Sequence, residues 1–383
     1  MKNNKVIFTT CPSYNQSDIE PSTRKLFQEL GGLQKYVCKG QKVLLKVNLL
    51  MKKKPEDAVT THPALVETVV KQIQDIGAQV IIADSPGGPF TKSWIKGIYK
   101  ETGMEEIASK TGAKLNWNFK QKKYSFPEGK ILKQITLAEI IKEVDVIISL
   151  AKLKTHGFTI YTGAVKNLFG TVPGLLKADY HLRMSDIRDF SNMLVDISEF
   201  VKPQITIMDA VIAMEGAGPS AGDQKKVGLL GASTNPHALD LACCHLIGLA
   251  PDRVYTLQKA IERGLVNDNF KELNIQGITR EELRPIPFKI PATSRSRHIP
   301  IPLPDFLDRF LYQILRPSPD FIHKKCVGCG ICAQNCPAKC IEMINHRPYA
   351  DLSRCIRCFC CQELCPYQAI EIKRGKLSKI LFR

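Results

Sequence analysis

The 383-residue chain has no run of eighteen uncharged apolar residues, so nothing in the sequence reads as a membrane-crossing helix. Its first ten residues, MKNNKVIFTT, lack the apolar stretch of a secretion signal, and a cytoplasmic location is the expectation. No G-x4-G-K-[ST] loop occurs, and Gly216, Gly218 and Gly222 miss the G-x-G-x-x-G spacing by one residue. Both absences argue against nucleoside-triphosphate hydrolysis and a standard dinucleotide site. Basic runs are also scarce. Although the formal net charge is +17, the only cluster of note is Lys52–Lys54, which reads as a solvated loop, and no aromatic side chains interleave with basic ones. This pattern disfavours a nucleic-acid surface and fits an acidic protein partner or an anionic small molecule. A Cys-x3-Cys-x2-Cys run is missing too, which argues against radical S-adenosylmethionine chemistry.

What the chain does have is fourteen cysteines, eight of them in two runs. Cys326-x2-Cys329-x2-Cys332-x3-Cys336-Pro337 recurs as Cys355-x2-Cys358-x2-Cys361-x3-Cys365-Pro366, each cysteine advanced by 29 positions. A disulfide scaffold would suit a secreted chain and is not expected here. Paired CxxC units can bind zinc, but zinc needs four sulfurs, whereas each run offers three at two-residue gaps and then Cys-Pro. A cuboidal [4Fe–4S] cluster needs three thiolates from one tight loop and a distant fourth, so the spacing points to two such clusters. Ile341 and Glu342 recur as Ile370 and Glu371, so the repeat is structural as well as chemical. The segment resembles a bacterial-type two-cluster ferredoxin domain over roughly residues 320–375. That resemblance implies crossed ligation, with Cys326, Cys329, Cys332 and Cys365 on one cluster and Cys355, Cys358, Cys361 and Cys336 on the other. Cys340 and Cys360 match Ala369 and Ile331 in the repeat and read as buried fillers. Cys11, Cys38, Cys243 and Cys244 have no ligand spacing; the last two lie in an apolar helical pattern over 235–249.

Residues 1–282 alternate strand and helix signals. Strands are expected at 6–10, 43–49, 80–83, 144–150 and 205–208, and helices at 20–30, 63–76 and 186–201. The fold expected is therefore an α/β body with a mostly parallel sheet, joined to a small α+β ferredoxin-like two-cluster iron–sulfur domain. A Pro-rich connector is placed over 283–319, with an amphipathic helix at 305–315, and the cluster domain over 320–383.

In such sheets ligands sit beyond the carboxyl ends of the strands. Polar residues gather there in this sequence: Lys46 and Asn48, Asp84, Lys152, Lys154 and His156, and Asp209 followed by the glycine-rich 215–222. They are expected to share one site. The densest patch continues through Lys166 and Asn167 to Gly170, Lys177 and His181, and would make an anion cradle. Candidate substrate-binding residues are Lys152, Lys154, His156, Lys166 and Asn167; no catalytic residue stands out. This body resembles the DUF362 family, on Lys152-Leu-Lys154-Thr-His156, Thr162-Gly163-Ala-Val-Lys166-Asn167-Leu-Phe-Gly170 and Glu215-Gly-Ala-Gly-Pro219, over most of residues 40–250. Members often carry a ferredoxin-type module at the C-terminus, but the resemblance supplies no reaction. The expected function is electron transfer through two [4Fe–4S] clusters, feeding a redox reaction on an anionic small molecule held by the body, as a ferredoxin-coupled oxidoreductase. A non-catalytic electron carrier or adaptor is the alternative, and a nucleic-acid-binding protein with structural clusters a third.

Overall fold

The structure is a computed structural model that describes residues 4–291 and 317–373. The helix expected at 305–315 and most of the connector lie outside these residues. The body is built on strands β1 (Lys5–Thr10), β2 (Lys42–Lys46), β3 (Gln79–Ala83), β4 (Lys114–Leu115), a separate hairpin β5 (Gln121–Ser125) and β6 (Gln134–Ala138), then β7 (Val146–His156), β8 (Ile160–Thr162), β9 (Ile205–Glu215), β10 (Asp223–Ser233) and β11 (Asn274–Gln276). They form one nine-stranded sheet in the order β11-β1-β10-β9-β7-β2-β3-β4, with β8 also pairing β7. The run from β9 through β7, β2 and β3 to β4 is parallel. β10 is antiparallel to both β9 and β1, so the sheet is mixed but mostly parallel.

Apolar runs explain the centre. β7 is buried along its whole length, as a strand covered on both faces must be. One face packs Ile7, Leu45, Ile82, Ile148 and Ile207 under α1 (Gln16–Glu29), α2 (Pro63–Gln74), α3 (Lys92–Glu101) and α4 (Met104–Thr111). The short α5 (Ala164–Asn167), α6 (Leu176–Arg183), α7 (Ile187–Val201), α8 (Pro236–Leu246) and α9 (Tyr255–Glu262) follow later in the chain. Of these, α8 and α9 supply Leu239, Leu241 and Leu257 to one cluster on the opposite face, and α7 supplies Phe190, Leu194 and Ile197 to another. Helix starts are written locally. Pro236 opens α8 behind Asn235, whose side chain accepts from the amides of His237 and Ala238, a cap contributing about 1 kcal/mol. Among the described residues no helix is long and apolar enough to cross a membrane.

Two differences from the sequence-based expectation matter for the site. β7 and β9 do not stop at Leu150 and Met208 but run on to His156 and Glu215, so Lys152, Lys154, His156 and Asp209 lie inside strands. The cause is ion pairing and hydrogen bonding that let charged side chains enter the sheet, where periodicity alone marks a strand end. The glycine-rich 216–222 is then the turn into β10, a strand that the sequence pattern did not reveal.

The C-terminal segment holds β12 (Ser318–Phe321), α10 (Ile331–Gln334), β13 (Ile341–Ile344), β14 (Arg347–Ala350), α11 (Cys360–Glu363) and β15 (Ile370–Lys373). Each of β12, α10 and β13 recurs 29 residues later as β14, α11 and β15, and β12 pairs β15 while β13 pairs β14. The halves are interlocked. This module rests on the body: the Gln362 side-chain amide donates to Ala217 O at 2.9 Å and Ser220 Oγ to Glu363 O at 2.8 Å. Residues 283–290, expected as connector, also run along the body, where Ile286 N donates to Leu246 O at 2.8 Å and Lys289 N to Glu215 Oε2 at 2.9 Å.

Candidate functional site

A cavity of about 800 Å3, counting its mouth, lies where the carboxyl ends of β2, β3 and β7 meet the module. The body contributes Asn48, Asp84, Lys154, Lys166, Asn167, Lys177 and His181; the module contributes Asn335, Cys360, Glu363 and Leu364. Leu50, Phe169 and Leu175 form apolar wall.

The body side rests on a polar network that is almost closed. Lys46, buried, pairs with Asp84 at 2.8 Å and also donates to Val47 O. Asp84 accepts in turn from the Leu49 amide at 2.8 Å. Asn167 ties this pair to its neighbours: its oxygen accepts from Asn48 Nδ2 at 3.1 Å and its amide donates to Ser149 Oγ at 2.9 Å. Lys154 Nζ donates to Asn48 Oδ1 at 2.8 Å and Val59 O at 2.7 Å. Lys177 Nζ is held by Ser85 O at 2.6 Å, Ser85 Oγ at 3.1 Å and Val172 O at 2.5 Å. Burial, only partly offset by the nearby carboxylates, pulls the ammonium groups of Lys154 and Lys177 down to about 7. Gly170 is required by this packing, because a Cβ there would collide with both Asp84 and Lys46.

At the module side the network is open. His156 Nδ1 accepts from the amides of Phe158 at 3.0 Å and Thr159 at 3.3 Å, which leaves Nε2 carrying the proton. That Nε2 is buried without a hydrogen-bond partner, 3.5 Å from Glu363 Oε2. His181, stacked on Phe190 with ring centres 4.2 Å apart, likewise has a buried Nδ1 with no partner. Burial, reinforced by Lys166, puts the His156 imidazole at about 4; burial puts His181 at about 3, so both rings are neutral near pH 7. Burial would raise the Glu363 carboxyl, but Lys166, His156 and His181 outweigh it and hold it ionised, below the usual carboxylate range.

The sequence candidates therefore separate. Lys154, Lys166 and Asn167 line the cavity and His156 backs it. Lys152 does not reach it: its ammonium is committed to Asp209 Oδ2 at 3.0 Å and Tyr14 OH at 2.8 Å, in a second buried network where His62 stacks on Tyr14 at 3.6 Å. The expectation of a single shared site is corrected accordingly: an ion pair needs no ligand, and Lys152 with Asp209 satisfies itself. Glu363, Tyr14 and His62 were missed by sequence reasoning. For Glu363 a signal existed, since it replaces Gln334 of the first half-repeat and so breaks the repeat with a charge.

The cysteines line two further cavities. Cys326, Cys329, Cys332 and Cys365 line one; Cys336, Cys355, Cys358 and Cys361 line the other, with Cys340 beside them. Cys365 thus stands with the first run and Cys336 with the second. Burial, then the neighbouring sulfurs Cys365, Cys329 and Cys326, pushes the Cys332 thiol up to about 11, and burial with Cys358, Cys355, Cys332 and Cys336 raises Cys361 further. Crowded thiols of this kind call for a positive centre between them. Among the described residues no three His, Cys, Asp or Glu side chains converge tightly enough for a single metal ion. Four sulfurs facing one chamber are the donor set that a cuboidal cluster requires. Cys340 and Cys360 are buried, as are Cys243 and Cys244 within α8.

Comparison with known proteins adds the family. A model described as a domain of unknown function, DUF362, matches residues 43–245. A thylakoid-associated protein of Synechocystis sp. is 32% identical over 302 residues, covering 74% of this chain and 90% of that protein. Among solved structures, the lactate racemase apoprotein of Thermoanaerobacterium thermosaccharolyticum aligns with a TM-score of 0.42 at 11% identity, and a protein of Thermotoga maritima with 0.36 at 12%. These cover 64% and 61% of the chain, which spans only 57% and 59% of theirs. Matched over more than half its length, and related across nearly the whole of a similar protein, the chain belongs to the DUF362 family.

Proposed function

We propose that this protein transfers electrons through two [4Fe–4S] clusters in a ferredoxin-type C-terminal domain and delivers them to an anionic small molecule held in the cavity between that domain and the body. Cys326, Cys329, Cys332 and Cys365 would hold one cluster, and Cys336, Cys355, Cys358 and Cys361 the other. When bound, such clusters supply one-electron reduction and oxidation. The observation that carries the reading is the shared wall. Asn335 and Cys360, which directly precede the ligand candidates Cys336 and Cys361, and Leu364, which precedes Cys365, line the same cavity as Lys154, Lys166 and Lys177. The second quartet backs onto the place where a substrate would sit, while Cys329 of the first quartet is exposed to solvent.

The chain's own residues account for binding and orientation. Lys154, Lys166 and Lys177 attract negative charge, the neutral imidazoles of His156 and, in its Nδ1–H tautomer, His181 direct N–H groups at it, and Leu50, Phe169 and Leu175 exclude water from its remainder. The basic surface would steer an acidic electron-carrier protein to the exposed quartet.

Anaerobic iron and sulfide analysis with a spectroscopic redox titration tests this. About eight iron and eight sulfide per chain, with reversible one-electron steps, is the expected result for two such clusters. Zinc, or clusters that no accessible potential reduces, would overturn it. Cluster reduction that no bound anion ever reoxidises would favour the non-catalytic carrier instead.

A further inference from the structure

We propose that Lys166, His156 and His181 form a seat for the carboxylate of a small carboxylic acid with an apolar body, and that Glu363 is the protein's own place-holder in that seat. This deepens the reading that the cavity takes an anionic ligand and rests on it.

The seat is identified by elimination. Lys46, Lys154 and Lys177 each have at least two acceptors within 3.5 Å, so their hydrogen-bonding capacity is largely committed to the protein. Lys166 lines the cavity and makes no hydrogen bond or ion pair with the described residues. His156 Nε2 and His181 Nδ1 are buried and unpartnered. Buried polar groups left without partners are costly, and native proteins rarely keep two of them near one cavity unless something completes the set.

Glu363 approaches that point without completing it. Its carboxylate stands 3.5 Å from His156 Nε2, beyond a good hydrogen bond. It extends from α11, whose end is pinned to the body through Ser220 and Gln362. A side chain so placed stands in the seat without closing a good hydrogen bond to His156 Nε2.

The ligand class follows from what converges. One ammonium, the Nε2–H of His156 and, in its Nδ1–H tautomer, the His181 ring match a single negative charge spread over two oxygens. A phosphate dianion, with more acceptors and twice the charge, would be under-served. Leu50, Phe169 and Leu364 then offer the apolar surface for the rest of the molecule. Two carboxylates cannot share one ammonium without repulsion, so ligand binding must displace Glu363.

Anaerobic isothermal titration calorimetry on the full cluster-loaded chain, with benzoate and inorganic phosphate as probes, is the direct test. Glu363→Gln keeps the shape and removes the competing charge, and should bind benzoate about tenfold more tightly than the unaltered protein, given the cost of opposed like charges. Lys166→Met should abolish benzoate binding. The proposal is overturned if Glu363→Gln binds no more tightly, if Lys166→Met still binds, or if phosphate is preferred. Iron content and reducibility of the same samples are an independent readout. Loaded, reducible protein that ignores benzoate sinks the seat alone, whereas benzoate binding without iron sinks the electron-transfer reading alone.

Discussion

Lys154 and Lys177, beside Lys166 whose ammonium burial also weakens, set the pH behaviour of the cavity. In water a lysine ammonium persists to about 10.4, but burial lowers both to about 7 here. Below that value each adds a positive charge to the cavity; above it the charge is lost while the ligand carboxylate stays ionised. Benzoate affinity should therefore be highest near pH 6 and fall as pH climbs through about 7 to 8, and binding near neutrality should take up protons. Calorimetry in buffers of different ionisation enthalpy reads both quantities. Affinity that is flat from pH 6 to 8 would mean that neither amine contributes. At this scale the sequence was legible where period-two spacing put Lys154 and His156 on one face of a strand and where Lys166-Asn167 followed a glycine. It was not legible for Glu363, which reaches the site from the C-terminal module, nor for Lys152, whose partner Asp209 lies on a different strand and whose ion pair closes it off.

Strands and half-repeats carry the next level. The apolar runs located β2, β3 and the first part of β7 and β9, because a strand covered on both faces is written as a continuous apolar segment. The same rule failed at the far ends of β7 and β9, where Lys152, Lys154, His156 and Asp209 are buried by pairing with one another and with loop groups. β10 escaped notice because its first half, Asp223–Lys226, is charged and largely exposed, so only Leu229 to Ser233 read as apolar. The 29-residue repeat, by contrast, was fully visible, and it fixes a crossed arrangement in which each run lends its last cysteine to the other chamber. Replacing Cys336 should therefore damage the cluster of Cys355, Cys358 and Cys361 and spare that of Cys326. Cys340 Sγ lies only 3.5 Å from Cys336 Sγ and could stand in, so the double change Cys336→Ser and Cys340→Ser is the sharper probe. Electron paramagnetic resonance of the reduced protein distinguishes the two clusters. Loss of the Cys326 cluster with survival of the other would refute crossed ligation.

Over the whole molecule, the two chambers are not equivalent, and their difference gives the assembly a direction. The first opens toward solvent at Cys329, with Val327 and Tyr367 exposed beside it. The second is separated from the main cavity by α11 and by the residue preceding Cys336, so a charge placed in the cavity lies close to it. A bound anion not offset by proton uptake at Lys154 and Lys177 stabilises the oxidised form of a neighbouring cluster, because reduction adds negative charge, and lowers that cluster's potential. Saturating benzoate should accordingly shift the potential of the Cys336–Cys355–Cys358–Cys361 cluster downward, and that of the Cys326 cluster less. By reciprocity, reduction of that cluster should weaken benzoate binding by the same factor. The reverse pattern, with the solvent-facing cluster responding more strongly, would mean that electrons approach the cavity from the other side. If neither potential moves, the cavity and the clusters are electrostatically independent, and the contact of α11 with the body serves docking alone.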